Sequence, residues 1–211
     1  MRIAVVGAAG EPGMRIVAEA EKKGISVTSV VSDPSVMPGS GPVIIKDFRD
    51  LEKADLEGMH AVVDAESFPR IGRYSSDDLP LWRIGALAGE SGTGVLVVGS
   101  TSSLYSDLSR TAMVTDDCCM TQGGHEQALR LCATASRRLR SERSFNWTLL
   151  CPPLILDPDA PATGRFTFGD DVLPMGVDGS SRISGADFAR ACVELLLRGL
   201  RSFSTVSVRA L

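Results

Sequence analysis

The stretch Ile3-Ala4-Val5-Val6-Gly7-Ala8-Ala9-Gly10-Glu11-Pro12-Gly13 decides how the rest of the chain is read. A short apolar run, three glycines spaced G-x-x-G-x-x-G, then Met14, Val17 and Ala18 at helical spacing predict a strand, a tight turn and a helix. Glycines in such a turn let phosphate oxygens approach the backbone, and the helix N-terminus offers free N–H groups and a positive dipole. The arrangement suits a dinucleotide pyrophosphate lying along Gly7, Ala9, Gly10 and Gly13. Glu11 and Pro12 work against it. A carboxylate about 4 Å from a phosphate costs on the order of 4 kcal/mol at an effective dielectric of about 20. Pro12 removes a backbone donor, a loss of ~1–3 kcal/mol. Yet proline suits a helix's first turn and glutamate suits its dipole, so the turn can be well built and still hold no dinucleotide.

Outward from this turn, strand and helix signals alternate with short loops. Gly24 ends the first helix after Lys23. Ser26 to Val31, Val43 to Lys46, Ala61 to Asp64, Val95 to Val98 and Trp147 to Cys151 read as strands. Helices are expected from about Asp77, with Leu79, Trp82 and Ala86 on one face, and from about Thr121 to Arg140. The second of these is expected to bury Leu129, Cys132, Ala133, Ser136 and Leu139. Continuous apolar strands alternating with amphipathic helices imply an α/β class, a Rossmann-type doubly wound parallel sheet covered on both faces. Past Pro153 the pattern breaks up. Arg165 to Phe168 and Val172 to Met175 read as short strands about a Gly169-Asp170-Asp171 turn, Arg182-Ile183-Ser184 leads into a helix burying Phe188, Cys192, Leu195 and Leu196, and Phe203 to Val208 is a last strand. The expectation is one domain over 1–211, with 153–185 a small cap on the substrate side.

Composition narrows the function classes. With 211 residues, 44% hydrophobic and 23% charged, the chain can bury a core, and a net charge of -4 offers no field to nucleic acid or to an anionic membrane. The arginines at 137, 138, 140 and 143 read as a solvated helix end. No apolar run is long enough to span a membrane and no leader pattern precedes the first strand, so a cytoplasmic protein is expected. Five cysteines, with Cys118 and Cys119 adjacent but no C-x-x-C, and two histidines, His60 and His125, predict no metal site and a reducing compartment. Both histidines read as structural. With no heptad or apolar stripe, a monomer is the expectation, with a small molecule as its partner.

Several side chains follow strand ends where a ligand would lie. Asp33 stands about twenty residues past Gly13, after Ser32, where an acid commonly holds adenosine ribose hydroxyls. Turn chemistry at Asp33-Pro34 explains it equally. No cation follows that strand, which favours NAD(H) over NADP(H). Asp47 is placed for the adenine amino group or to cap a helix near Arg49, and Asp64-Ala65-Glu66 adds carboxylates beside the site. Ser100, ending the fifth strand, can orient a carbonyl or a nicotinamide amide. Every lysine lies at or before Lys53, so no Tyr-x-x-x-Lys acid pair can follow Ser100.

The pieces Arg2–Gly10, Ala61–Ala65, Leu96–Gly99, Asn146-Trp147-Thr148, Cys151-Pro152-Pro153, Thr163–Phe166 and Asp178–Ser184 with Asp187-Phe188-Ala189 together resemble the atypical short-chain dehydrogenase/reductase group of NAD(P)H-binding, NADH-flavin-reductase-like proteins. Its relative is the biliverdin-IXβ/flavin reductase. The resemblance implies a nicotinamide cofactor along Gly7 to Gly13 and a flavin or similar flat acceptor, bound as substrate and not as prosthetic group. It puts Ser100 at the family's strand-end serine, as the catalytic candidate. Pro153 falls beside the nicotinamide, with Ala65 at the cofactor, and Tyr105 and Leu154 lie toward the substrate. Departures gather at the cofactor: the family has threonine at Ala9, a basic or neutral residue at Glu11 and an arginine at Ser32, and its relative has a histidine at Leu154. Hence the alternative reading, a non-catalytic Rossmann protein with a degenerate site that binds another ligand or a protein.

Overall fold

The structure, a computed structural model, describes residues 1–68, 70–116 and 126–211. The apolar runs become β1 (Arg2–Val6), β2 (Ser26–Val31), β3 (Val43–Ile45), β4 (Ala61–Asp64), β5 (Gly94–Val98) and β6 (Trp147–Cys151). Later strands are β7 (Ile155–Asp157), β8 (Phe166–Gly169), β9 (Arg182–Ser184) and β10 (Ser204–Ala210). The main sheet runs β3-β2-β1-β4-β5-β6-β10-β8, parallel throughout except where β8 meets β10, and β7 pairs with β9 in a separate parallel ribbon. The chain winds outward from β1 to β3 and crosses back to β4. The order therefore reverses beside β1, which opens a crevice at the carboxyl ends of β1 and β4.

Among the described residues the strands are connected by α1 (Glu11–Lys22), α2 (Lys53–Leu56), α3 (Pro80–Glu90), α4 (Glu126–Ser141) and α5 (Gly185–Arg198). Successive strand residues point to opposite faces, and each face has its own core. Ile3 and Val5 join Ile16, Val17, Phe188 and Cys192 beneath α1 and α5. Ala4, Val6 and Val62 join Ile84, Leu139 and Trp147 beneath α3 and α4. Burial on both faces explains why the strands read as unbroken apolar runs.

Some expected details differ. In α1 the inward residues are Gly13, Ile16, Val17 and Ala20, while Met14 and Ala18 face solvent. The cause is Gly13, where a Cβ would meet Gly7 O at 2.3 Å, so this edge of the helix must face the turn. Helix α3 starts at Pro80, not near Asp77. Leu81, Ile84 and Ala88 set its buried face, which leaves Ala86 exposed and Trp82 half-buried. In α4 Cys132, Ala133, Ser136 and Leu139 are buried as expected, and Leu129 is half-buried. The expected strand at Val172–Met175 is absent, with only Val172 bridging to Tyr105. Within 153–185, β8 is an edge strand of the main sheet rather than part of a cap. Arg140 is no solvated helix end. It donates to Asp171 Oδ2 and to Ser103 O, both at 3.0 Å, with its guanidinium over the Tyr105 ring. His125, Cys118 and Cys119 lie outside the described residues. No helix among the described residues is long and apolar enough to cross a membrane.

Candidate active site

The turn after β1 is built by its glycines. Gly7 adopts φ +78, a conformation that L side chains rarely take. Gly10 N–H donates to Gly7 O at 3.0 Å, and the first helical bond runs from Met14 N–H to Gly10 O at 2.8 Å. Glu11 and Gly13 thus keep first-turn N–H groups outside the helical ladder, while Pro12 contributes none. Ala9 is half-buried against the α1/α5 core.

Glu11 is not left facing this turn alone. Its carboxylate is bonded by Arg15 Nε, one helical turn on, and Arg15 Nη2 donates to Pro158 O at 2.8 Å. Neutralisation by Arg15 lowers the repulsion that a phosphate at the first turn would meet. The pairing was legible from the i, i+4 spacing of Glu11 and Arg15.

Two cavities open along the carboxyl edge. One of about 140 Å³ lies toward β2 and β3, with Gly7, Ser32, Asp47, Glu66 and Tyr74 in its wall. Another of about 510 Å³ lies toward β5 and α4, lined by Phe68, Ile71, Ser100, Leu129 and Cys132. Arg70 and Arg73 line both.

In the smaller cavity Asp47 caps the 3-10 turn at Phe48–Asp50, accepting from Arg49 N–H at 3.0 Å. Lys46 also lines it, held by Asp55 Oδ2 at 2.9 Å, and this bond raises the lysine pKa. Asp33 does not line the cavity. Its Oδ1 accepts from Ser35 Oγ at 2.7 Å and Ser35 N–H at 2.8 Å, the local turn chemistry of Asp before Pro. Those bonds, the hydroxyl's first, hold the Asp33 carboxyl below the usual aspartate range. Glu66 lines the cavity, as its place after the fourth strand implies, and Arg70, Arg73 and Tyr74 join it without any signal in the sequence. They come from the loop after β4, whose path no periodicity reveals. Burial and the bond to Glu66 push the Tyr74 hydroxyl up to about 12, so it remains a donor.

In the larger cavity Ser100 Oγ lies 2.9 Å from Ser102 Oγ and caps the 3-10 turn at Thr101–Ser103. Burial pushes the Cys132 thiol up to about 11, and the fully buried Cys151 thiol also rises, so neither supplies a thiolate nucleophile. Pro153 is buried, and its carbonyl accepts from Thr101 Oγ1 at 2.6 Å, tying the paired prolines to the serine loop. Ala65 is buried at the end of β4, where its N–H donates to Val6 O at 3.0 Å. Tyr105 and Leu154 do not line this cavity. Tyr105 packs beneath Arg140, and Leu154 packs against the α3/α4 core with its N–H on Ser181 Oγ at 3.2 Å. Among the described residues no group of three His, Cys, Asp or Glu side chains is gathered as for a metal.

A parallel sheet whose order reverses beside β1, with a glycine turn feeding α1 at that reversal, defines a Rossmann-type α/β protein. No family model matches the chain. It is 30% identical over 203 residues to the uncharacterized protein YwnB of Bacillus subtilis (strain 168), covering 93% of this chain and 92% of that one. A solved structure from Streptococcus pneumoniae TIGR4, named "a putative NADH-flavin reductase", matches with a TM-score of 0.89 at 30% identity over 100% of both chains. A Lactobacillus casei protein matches with a TM-score of 0.85 at 28% identity, over 100% of this chain and 99% of its own. The chain belongs to the NAD(P)-binding, NADH-flavin-reductase-like family of atypical short-chain dehydrogenases/reductases.

Proposed function

We propose that this protein is an NAD(P)H-dependent oxidoreductase that favours NADH and passes a hydride to a flavin or similar flat acceptor bound as substrate. The observation that carries the reading is the pair of cavities on the carboxyl edge, which share Arg70 and Arg73, the smaller of them walled by Gly7 of the glycine turn. They offer one groove with a small polar end and a larger, more apolar one. A nicotinamide dinucleotide supplies the hydride when bound. The chain's own residues bind, orient and exclude water. Glu11 and Gly13 N–H groups, at the positive end of α1, hold the pyrophosphate, with Gly7 and Gly10 keeping the approach clear. Ser32 and Asp47 face the adenosine end. Ser100 Oγ orients a carboxamide or an acceptor carbonyl, while Phe68, Ile71 and Leu129 shield the reacting faces from water. Hydride transfer between stacked rings depends on this positioning and needs no Tyr/Lys acid pair.

The test is calorimetric titration with NADH and NADPH, followed by NADH oxidation in the presence of FMN or riboflavin. NADH is expected to bind the more tightly of the two and to be consumed saturably. Ser100→Ala is expected to lower kcat/KM about tenfold, the worth of one lost hydrogen bond to the reacting groups. No heat with either cofactor up to millimolar would sink this reading. It would favour the rival one, a non-catalytic binding module, to which Pro12 lends weight by leaving the turn one donor short.

A further inference from the structure

The loop leaving β4 carries a carboxylate set differently from Asp33 and Asp47. Asp64 Oδ1 accepts from the N–H groups of Glu66 and Ser67, both at 3.0 Å, which turns the chain sharply at the strand end. Glu66 is thereby laid against the glycine turn: a Cβ built on Gly7 would lie 2.8 Å from Glu66 Oε2. The side chain is only 16% exposed. Its other oxygen, Oε1, accepts from the Tyr74 hydroxyl at 2.8 Å and from Arg70 Nη1 at 3.2 Å. Tyr74 is itself held edge-on against Phe48, with ring centroids 5.6 Å apart. Two donors therefore pin one oxygen and leave the second turned to the glycine turn, in the wall of the cavity that Ser32 and Asp47 also line. The cations there are mostly matched. Lys46 is paired with Asp55 and Arg70 with Glu66, while exposed Arg73 shares the cavity wall with the carboxylates of Glu66 and Asp47.

We propose that Glu66 reads the adenosine ribose: its pinned carboxylate accepts from a ribose hydroxyl through Oε2 and repels a 2′-phosphate. Selection of NADH over NADPH is then made from the end of β4, with Arg70 and Tyr74 as positioning residues, and not from Asp33 at the end of β2. The inference rests on the dinucleotide reading above and names the residue that sets its specificity.

The experiment is calorimetric titration of the full chain with NADH, NADPH and the fragments 5′-AMP and 2′,5′-ADP. The natural protein is expected to bind NADH more tightly than NADPH, and 5′-AMP more tightly than 2′,5′-ADP. Glu66→Gln keeps the shape but removes the charge. It is expected to shift the NADH:NADPH affinity ratio about ten- to a hundredfold toward NADPH. Tyr74→Phe, which leaves Oε1 only its Arg70 donor, should move the ratio the same way by less. If NADH binds but the ratio is unmoved by Glu66→Gln, or moves with Asp33→Asn instead, Glu66 is not the reader and the dinucleotide reading survives. If none of the four ligands binds at millimolar, both fall. Should Glu66→Gln fail to fold, the natural protein still decides, because 2′,5′-ADP bound as tightly as 5′-AMP overturns the proposal.

Discussion

Glu11 carries a charge that Arg15 answers one helical turn later, and the pair governs what a phosphate at the first turn of α1 would meet. Both side chains are well exposed, so the pair adds little to stability, within about 1 kcal/mol. Its effect belongs to ligand binding. Arg15→Ala is expected to weaken NADH binding several-fold, and Glu11→Gln added to it to restore the affinity; calorimetry on the four members of the double-mutant cycle gives the coupling. An Arg15→Ala protein that binds as well as the natural one would show that the Glu11 charge is not felt at the turn. At this scale the sequence was only partly legible. The glycines, Ser100 and Asp47 stand at strand ends where spacing alone puts them. Glu66 meets Gly7 only because Asp64 bends the loop back after β4, and that turn has no periodic signal.

Among the elements, strands β1 to β6 were readable because each is buried on two faces, which leaves a run of Val, Ile and Leu between polar turns. The segment Val172–Met175 misled because a β-rich composition does not supply a pairing partner, and only Val172 finds one. Arg140 departs from expectation for a related reason: a cation in the last turn of a helix suits the dipole, yet here it reaches across to Asp171 and Ser103 O. It ties α4 to the loop after β5 and to the segment that follows β8. Arg140→Met should lower unfolding free energy by about 1–3 kcal/mol in urea, since it leaves a buried carbonyl without its donor. Asp187 makes a second tie, from α5 to the turn at Thr163-Gly164. Burial drives the Asp187 carboxyl up, but Thr163 N–H at 2.8 Å, Gly164 N–H at 2.8 Å and the Thr163 hydroxyl outweigh it, so its pKa lies below the ordinary aspartate value. A depressed carboxyl pKa contributes stability that is present above the ordinary value of about 3.9 and is lost as pH falls through the depressed one. Urea midpoints measured down from pH 6 should therefore drop below about pH 4. In Asp187→Asn the drop should be shallower and the midpoint at pH 6 lower.

Over the whole molecule, one sheet separates two cores without dividing the protein into two folding units, because each strand serves both. Ile16→Ala cuts into the α1/α5 core and Leu139→Ala into the α3/α4 core, and each is expected to cost about 2–5 kcal/mol. Far-ultraviolet circular dichroism and tryptophan fluorescence should report a single coincident transition in both variants. Two separated transitions in either would mean that the faces unfold apart.

The seat of β10 between β6 and β8 also bears on the order in which the fold can form during synthesis. Strand β8 emerges from the ribosome some forty residues before β10, yet among the described residues its partner in the main sheet is β10. Until Ser204 to Ala210 are made, β6 stays an open edge and β8 waits without a ladder. The nascent chain can assemble β1 to β6 early, but the open edge of β6 is covered only once β10 has been made.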